Sequence, residues 1–240
     1  LLGGGGNDRL SGSGGNDLLF GNIGNDRLAG GNNRDMLDGA EGDDQLDGGN
    51  GDDFLNGGAS VDTLTGGNGN DQLVGGAGVD RLTGGGGRDQ FAYNGNVFAN
   101  GTPALVAAPN INVLNQPDIV ADYTIGEDQF LIGGQDLGID TINFQKGASG
   151  QLANGNVIVL TDGFAAAGAA ARAIANNNLI TAEEGVFVYF NTTLGLTRVV
   201  YSENLGSGGD ISVLANLDNQ RGATGQANIA NFTAADFGLA

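Results

Sequence analysis

Ten aspartates recur at intervals of nine residues: Asp8, Asp17, Asp26, Asp35, Asp44, Asp53, Asp62, Asp71, Asp80 and Asp89. Carboxylates are hard oxygen ligands, and what a row of them can do depends on which members meet in space. Solubility alone does not require one acid every nine residues over such a length. The same register carries Gly at position one of all ten units, from Gly3 through Gly84. Position eight is Leu in nine units, Leu10 through Leu82, and Phe91 in the last. Ten nonapeptides therefore run from Gly3 to Ala92 without insertion or deletion.

A period of this kind is the mark of a solenoid. Positions one, two and four are mostly Gly and are read as a tight turn that needs positive φ. Asn22 and Asn33 tolerate that region, whereas Ser13, Ala40 and Ser60 do so less well. Positions seven to nine predict a three-residue strand whose central Leu points inward, because side chains alternate across a strand. Nine residues make one turn and one strand, so eighteen complete a coil. Aspartates eighteen apart should then stack along an edge, about 4.8 Å apart in backbone spacing. One edge carries Asp8, Asp26, Asp44, Asp62 and Asp80; the other carries Asp17, Asp35, Asp53, Asp71 and Asp89.

Stacked carboxylates repel one another, so the coil is disfavoured until a divalent cation lies between successive turns. Calcium suits the place, because it accepts about six to eight oxygens in flexible geometry, while magnesium demands a stricter octahedron. Five turns per edge leave four gaps, which sets a limit of about eight calcium ions for the roll. Asp38, Asp43, Asp47 and Asp52 fall outside the ladders and read as solvated.

Composition excludes several other chemistries. The net charge of −19, with 9 basic residues against 28 acidic ones, argues against nucleic acid, which needs clustered Lys and Arg. Cysteine and histidine are both absent, so disulfides, thiolate chemistry and the usual general base are too. Lys146 is the sole lysine, leaving a serine nucleophile without most of its activators. Glu183 and Glu184 read as a turn before a strand rather than an acid–base pair, and the sequons at Asn191 and Asn231 are discounted as chance tripeptides. An ice-binding solenoid would need a flat row of outward Thr, whereas positions seven and nine mix Arg, Leu, Gln, Met, Asp and Thr. No apolar run is long enough to predict a transmembrane segment. Leu1 and Leu2 look like the end of an earlier repeat, so the chain is expected to be the C-terminal piece of a longer protein.

The ten units resemble the GGxGxDxUx repeats of the RTX (hemolysin-type) family of type I-secreted toxins, proteases, lipases, epimerases and adhesins. The resemblance covers residues 3–92. It implies calcium held between turns by the position-six Asp side chains and turn carbonyls, an extracellular location and passage through type I secretion machinery. Asp118-Ile119-Val120-Ala121-Asp122-Tyr123, leading through Gly126 to Asp128-Gln129-Phe130-Leu131, is similar to the segment that closes the roll in secreted metalloproteases. Asp122 and Asp128 are candidates for one more calcium there, the alternative being a capping strand pair with solvated acids. Val186–Asn191, Thr197–Ser202 and Ile211–Ala215 resemble stretches of a "bluetail" C-terminal domain, which implies sorting or secretion and assigns no chemistry.

The expected architecture is mainly all-β. A right-handed parallel β-roll solenoid of ten nonapeptides occupies residues 1–100 and an irregular linker with Pro103, Pro109 and Pro117 follows over 101–117. A small β-rich C-terminal domain with one short helix, serving as cap and secretion or sorting signal, takes 118–240. Within it, 156–160 predicts a strand and 164–175 a helix capped by Thr161 or Asp162. Residues 186–191 and 196–202 predict a hairpin, and Thr233 with Asp236 a capping box. The chain itself is read as a non-catalytic calcium-binding module. The alternatives place the activity upstream of residue 1, in a secreted enzyme such as a protease or lipase, or in a surface adhesin whose C-terminal domain binds a partner.

Overall fold

The computed structural model describes residues 1–93, 117–132, 137, 139–202, 204–207 and 211–239. The linker expected over 101–117 lies, apart from Pro117, outside the described residues. The fold divides into two compact units, one made of Leu1–Tyr93 with Asp118–Phe130 and one containing Leu131–Ala240.

In the first unit every repeat supplies a strand, and each strand pairs in parallel with the one eighteen residues on. Leu28 lies opposite Leu46, and Leu37 opposite Leu55. Two sheets result. One runs through Leu2–Gly5, Leu18–Ile23, Met36–Glu41, Phe54–Ala59, Gln72–Ala77 and Gln90–Tyr93. The other runs through Arg9–Gly14, Arg27–Asn32, Gln45–Asn50, Thr63–Asn68 and Arg81–Gly86. This is the parallel β-roll that the period predicts. The position-eight residues Leu19, Leu28, Leu37, Leu46, Leu55, Leu64, Leu73, Leu82 and Phe91 fill its interior and are essentially unexposed. Burying each such side chain is worth about 1.5–3 kcal/mol, which is what holds the coils in register.

The strands are six residues long rather than the expected three, running from position seven through position three of the next unit. Inward and outward alternation continues past the Leu, so the position-one Gly also faces the interior. The turn is correspondingly short, and positive φ occurs at positions two and four but not at position one. All five non-glycine residues at these positions, the tolerant Asn22 and Asn33 and the less tolerant Ser13, Ala40 and Ser60, adopt φ between 75 and 90°.

Residues 118–130, expected to belong to the C-terminal domain, instead resume the roll. Asp118–Val120 adds to the strand Arg81–Gly86, with Val120 opposite Leu82. Gln129–Ile132 follows Gln90–Tyr93 in the other sheet, and the Gln129 amide donates to the Asp89 carbonyl at 2.8 Å. Val120 and Phe130 take the inward position that Leu holds elsewhere. Tyr123 stacks on Phe130 with ring centroids 4.5 Å apart, and both rings lie about 6 Å from Phe91, closing the open end of the core with aromatic surface.

The second unit is built on a mixed sheet in the order Phe144–Gly147, Val157–Leu160, Gly185–Asn191, Leu196–Ser202, Ile211–Arg221. The predicted hairpin is present, with Val188 opposite Val199. The helix Ala167–Ala175 packs Ala167, Ala170, Ala171 and Ile174 against Ile158, Leu160, Phe187 and Val213. Its small side chains permit that close approach. It begins later than expected, at an Ala166 that makes no side-chain cap bond. Asp162, expected as a cap, accepts from the Ser149 amide and hydroxyl instead. A second helix, Gly222–Asn228, was not expected, because two glycines in seven residues mask it. The Thr233–Asp236 capping box forms as predicted on the 3-10 turn Ala234–Asp236. Among the described residues no helix is long and apolar enough to cross a membrane.

Candidate metal centre

Each ladder aspartate sits at the exit of a turn, immediately before its strand, and is drawn inward. Asp26, Asp35, Asp44, Asp53, Asp62, Asp71, Asp80 and Asp89 are all buried. Their two carboxylate oxygens have different fates. Oδ1 accepts from the backbone amide of the aspartate eighteen residues earlier: Asp53 from Asp35 at 2.7 Å, Asp71 from Asp53 at 2.8 Å, Asp62 from Asp44 at 2.8 Å. Oδ2 has no partner. It is buried and unsatisfied in Asp8, Asp17, Asp26, Asp35, Asp44, Asp53, Asp62, Asp71 and Asp80. Native folds leave only a few buried polar atoms orphaned, scattered over the structure, and here nine are orphaned at the same position of a repeat.

Each orphan oxygen lies over the position-one Gly of its own unit. A Cβ on Gly48 would meet Asp53 Oδ2 at 2.5 Å and the carbonyl oxygen of Gly66, one coil further on, at 2.7 Å. The same pair of oxygens closes on the same point at Gly12, Gly21, Gly30, Gly39, Gly57 and Gly66. Position one is therefore Gly for lack of space, not for a left-handed backbone. Gly48→Ala should accordingly cost about 1–3 kcal/mol in the calcium-bound state, as overpacking does. Gly86→Ala at position three, whose Cβ would meet nothing closer than Asn68 Oδ1 at 3.7 Å, should stay within about 0.5 kcal/mol. Denaturant melts of the two variants in saturating calcium check this.

Electrostatics point the same way. Burial, aided by repulsion from the neighbouring rungs, pushes the carboxyls of Asp62 and Asp71 up to about 7. Burial likewise raises Asp44, Asp80 and Asp89 to about 6, and Asp53 rises for the same reason. Without a counter-charge these groups are shifted toward the protonated form, and a bound cation would oppose that shift. Orphaned anionic oxygens, paired with main-chain carbonyls and lacking any nitrogen or sulfur donor, are a donor set for a hard, oxygen-seeking ion such as calcium. Among the described residues no three acidic side chains converge, so each gap offers two carboxylates and relies on backbone oxygens for the rest.

The fold thus brings the ten predicted aspartates into two ladders, and the additional pair lies at their end, where burial, helped by repulsion from Asp122, raises the Asp128 carboxyl. Asp122 accepts from the amides of Gly84 and Gly85. Asp128 accepts from Asp89 and from Thr124. Two features escaped sequence reasoning. Asp118 is the rung that follows Asp80, accepting its amide at 2.9 Å. The signal was present, since Asp118-Ile119-Val120 repeats the Asp-x-apolar step of Asp80-Arg81-Leu82, but 38 residues separate the two aspartates instead of eighteen. Asp43 and Asp52, read as solvated, are exposed and in addition form part of an outer ladder at position five: Asp43 accepts from the Val61 amide and Asp52 from Asn70, much as Asn7 accepts from Asn25. Asp38, also expected to be solvated, accepts from the Asn56 side chain.

A family model described as RTX calcium-binding nonapeptide repeat matches residues 2–37, 29–64 and 56–91. No curated protein matches the chain. Ladder, glycine cradle and family match coincide on one stretch: residues 2–91 are an array of RTX calcium-binding nonapeptide repeats, which bind Ca2+ and are characteristic of type I-secreted proteins.

Proposed function

We propose that the ten ladder aspartates are the calcium ligands of a folding switch, and that this switch operates on export. The observation that carries the reading is the row of nine buried, partnerless Oδ2 atoms. At the low free calcium of a cytosol these charges oppose the coil, and the repeats stay extended enough to pass a secretion channel. Outside the cell, calcium at about millimolar concentration exceeds the 10⁻⁴–10⁻³ M affinity typical of extracellular modules. Binding to the folded state alone then draws the chain into the roll by mass action. Neighbouring gaps share a rung, so binding should be cooperative.

The C-terminal region acts in the same scheme as cap and as secretion or sorting signal. Phe232, Asp236 and Phe237 near the end of the chain are buried in the second unit, so a signal there would be read before that unit folds. The roll holds no catalytic constellation, and an activity of a secreted enzyme or an adhesin would be carried by other residues.

Substitutions at the middle and the end of a ladder test the ligand assignment. Asp53 belongs to two gaps, with Asp35 and with Asp71, and also satisfies the buried Asp35 amide. Asp8 belongs to one gap and caps no earlier rung. Asp53→Ala should raise the calcium midpoint for folding, followed by circular dichroism, by about tenfold or more, since an orphaned buried amide alone costs about 1–3 kcal/mol. Asp8→Ala should raise it less. Equal midpoints would overturn the stacked-rung assignment.

A further inference from the structure

Asn-Gly steps occur in the chain at Asn50, Asn56, Asn68, Asn94, Asn100 and Asn154. Asparagine is a thermolabile residue, and a following Gly exposes it most, because no Cβ shields the next amide nitrogen. That nitrogen attacks the side-chain Cγ. The new N–C bond closes a succinimide, and the side-chain nitrogen leaves as ammonia, taking the amide proton. Solvent water then opens the ring at either carbonyl, giving aspartate or isoaspartate. The reaction needs a side chain free to swing onto the next nitrogen and an N–H free to give up its proton. Asn94 and Asn100 lie outside the described residues.

The wound roll withholds both freedoms at Asn50, Asn56 and Asn68. The Gly51 amide donates to the Asn68 carbonyl and the Gly69 amide to the Gly86 carbonyl, each at 2.8 Å. Asn50 Nδ2 donates to Asn32 Oδ1 at 3.0 Å and Asn68 Nδ2 to Asn50 Oδ1 at 2.9 Å, so these side chains form a ladder of their own. Asn56 lies within the strand Phe54–Ala59, and its Nδ2 donates to Asp38 Oδ1 at 3.2 Å. Each of these partners belongs to a neighbouring coil. Asn50 and Asn68 are themselves exposed, so water reaches them freely. Their protection lasts only while the coils are stacked.

We propose that Asn50, Asn56 and Asn68 are sites of spontaneous deamidation that open when calcium leaves the roll, and that their conversion sets a time limit on the folding switch. Isoaspartate carries the main chain through Cβ and so adds an atom to the backbone. At Asn50 that insertion falls between Leu46 and Asp53, whose strict spacing sets both on the interior. The Gly51 amide is then displaced from the Asn68 carbonyl. Aspartate, the other product, puts an oxygen where Asn50 Nδ2 faced Asn32 Oδ1, and a donor of the ladder is lost. A chain held too long without calcium therefore loses its capacity to wind. The proposal rests on the calcium reading of the repeats.

Ageing of the full chain in warm, mildly alkaline buffer, with saturating calcium or with EGTA, tests it. Mass mapping of peptides follows deamidation at each Asn, and circular dichroism is recorded alongside. In EGTA, Asn50, Asn56 and Asn68 should deamidate about tenfold faster than in calcium, or more, as expected of groups that react only after local opening. Asn154, in the second unit with its Oδ1 accepting from the Thr181 amide at 2.9 Å, should react at the same rate in both. Calcium returned to the EGTA-aged chain should restore less strand signal than it gives a fresh one, with isoaspartate concentrated in the part that stays unwound. The triple variant Asn50→Gln, Asn56→Gln, Asn68→Gln, whose longer side chains close the imide ring far more slowly, should recover more fully after the same ageing. Should that variant not wind when fresh, the mapping of the unsubstituted chain decides. If EGTA unwinds the repeats while the three sites react no faster than in calcium, or if Asn154 accelerates as much as they do, the time limit is wrong and the calcium reading stands. If EGTA leaves the repeats wound, the calcium reading fails and the time limit with it.

Discussion

Chelation with EGTA at neutral pH should abolish the strand structure of residues 2–93, and calcium restored to about millimolar concentration should return it. The expectation follows from comparing magnitudes. An ion buried without a partner costs several kcal/mol even after relaxation, whereas a whole domain is stable by only about 5–15 kcal/mol. The roll carries nine buried carboxylate oxygens that no described residue satisfies. A few uncompensated rungs suffice to exhaust the stability that the interior leucines supply. Among the described residues the second unit shows no comparable ladder, and its core is built of Ile158, Leu160, Phe187, Tyr189, Val200 and Val213. Hydrogen exchange should therefore show protection collapsing over the repeat strands in EGTA while the hairpin Gly185–Asn191 and Leu196–Ser202 keeps its own. Repeat strands that stay protected in chelator would sink the idea that calcium folds the roll.

Most of the roll was legible in the sequence because its determinants are local and repeated. Leu at position eight specifies an inward side chain, and a nine-residue period specifies which Leu it lies against; Leu28 and Leu46 had no other arrangement open to them. The aspartate ladders follow from the same arithmetic. What the sequence could not separate were two reasons for one residue type. Gly is required at Gly48 and at Gly51 alike, yet Gly51 needs it for a φ of 131° and Gly48 because Asp53 Oδ2 occupies the space of a Cβ. Only the position of the carboxylate distinguishes the cases, and that is a tertiary fact.

Misassignments concentrate where periodicity lapses. Asp118 and Asp128 continue the ladders, but the interruption after Tyr93 and the ten-residue step between them conceal this from a nine-residue period. Asp43 and Asp52 are surface charges, as read, and only stacking of the coils shows that their oxygens also meet the amides of Val61 and Asn70. In the second unit the hairpin strands were readable, being rich in Val, Phe and Tyr. The helix Gly222–Asn228 was not, because its composition opposes its conformation and tertiary context prevails.

Acid should substitute in part for calcium. In the calcium-free coil Asp62 and Asp71 rise to about 7, and Asp44, Asp80 and Asp89 to about 6, chiefly through burial. In the extended chain the same groups titrate near the ordinary 3.8. The folded state thus holds these protons more tightly than the unfolded one. Its stability is fully present below about pH 4 and is lost as pH rises through the window from 6 to 7. Lowering a calcium-free sample from about pH 7.5 to about pH 5 should therefore restore part of the strand signal, since neutral rungs neither repel nor demand a counter-ion. Protons and calcium then compete for the same oxygens, so the calcium midpoint should rise over that descent even as the calcium-free coil becomes more stable. The two movements have opposite sense and arise from one set of carboxylates. Circular dichroism in EGTA against pH, with calcium titrations at both ends of the range, measures them together. A calcium-free chain as unstructured at about pH 5 as at about pH 7.5 would show that ladder repulsion is not what keeps the repeats apart.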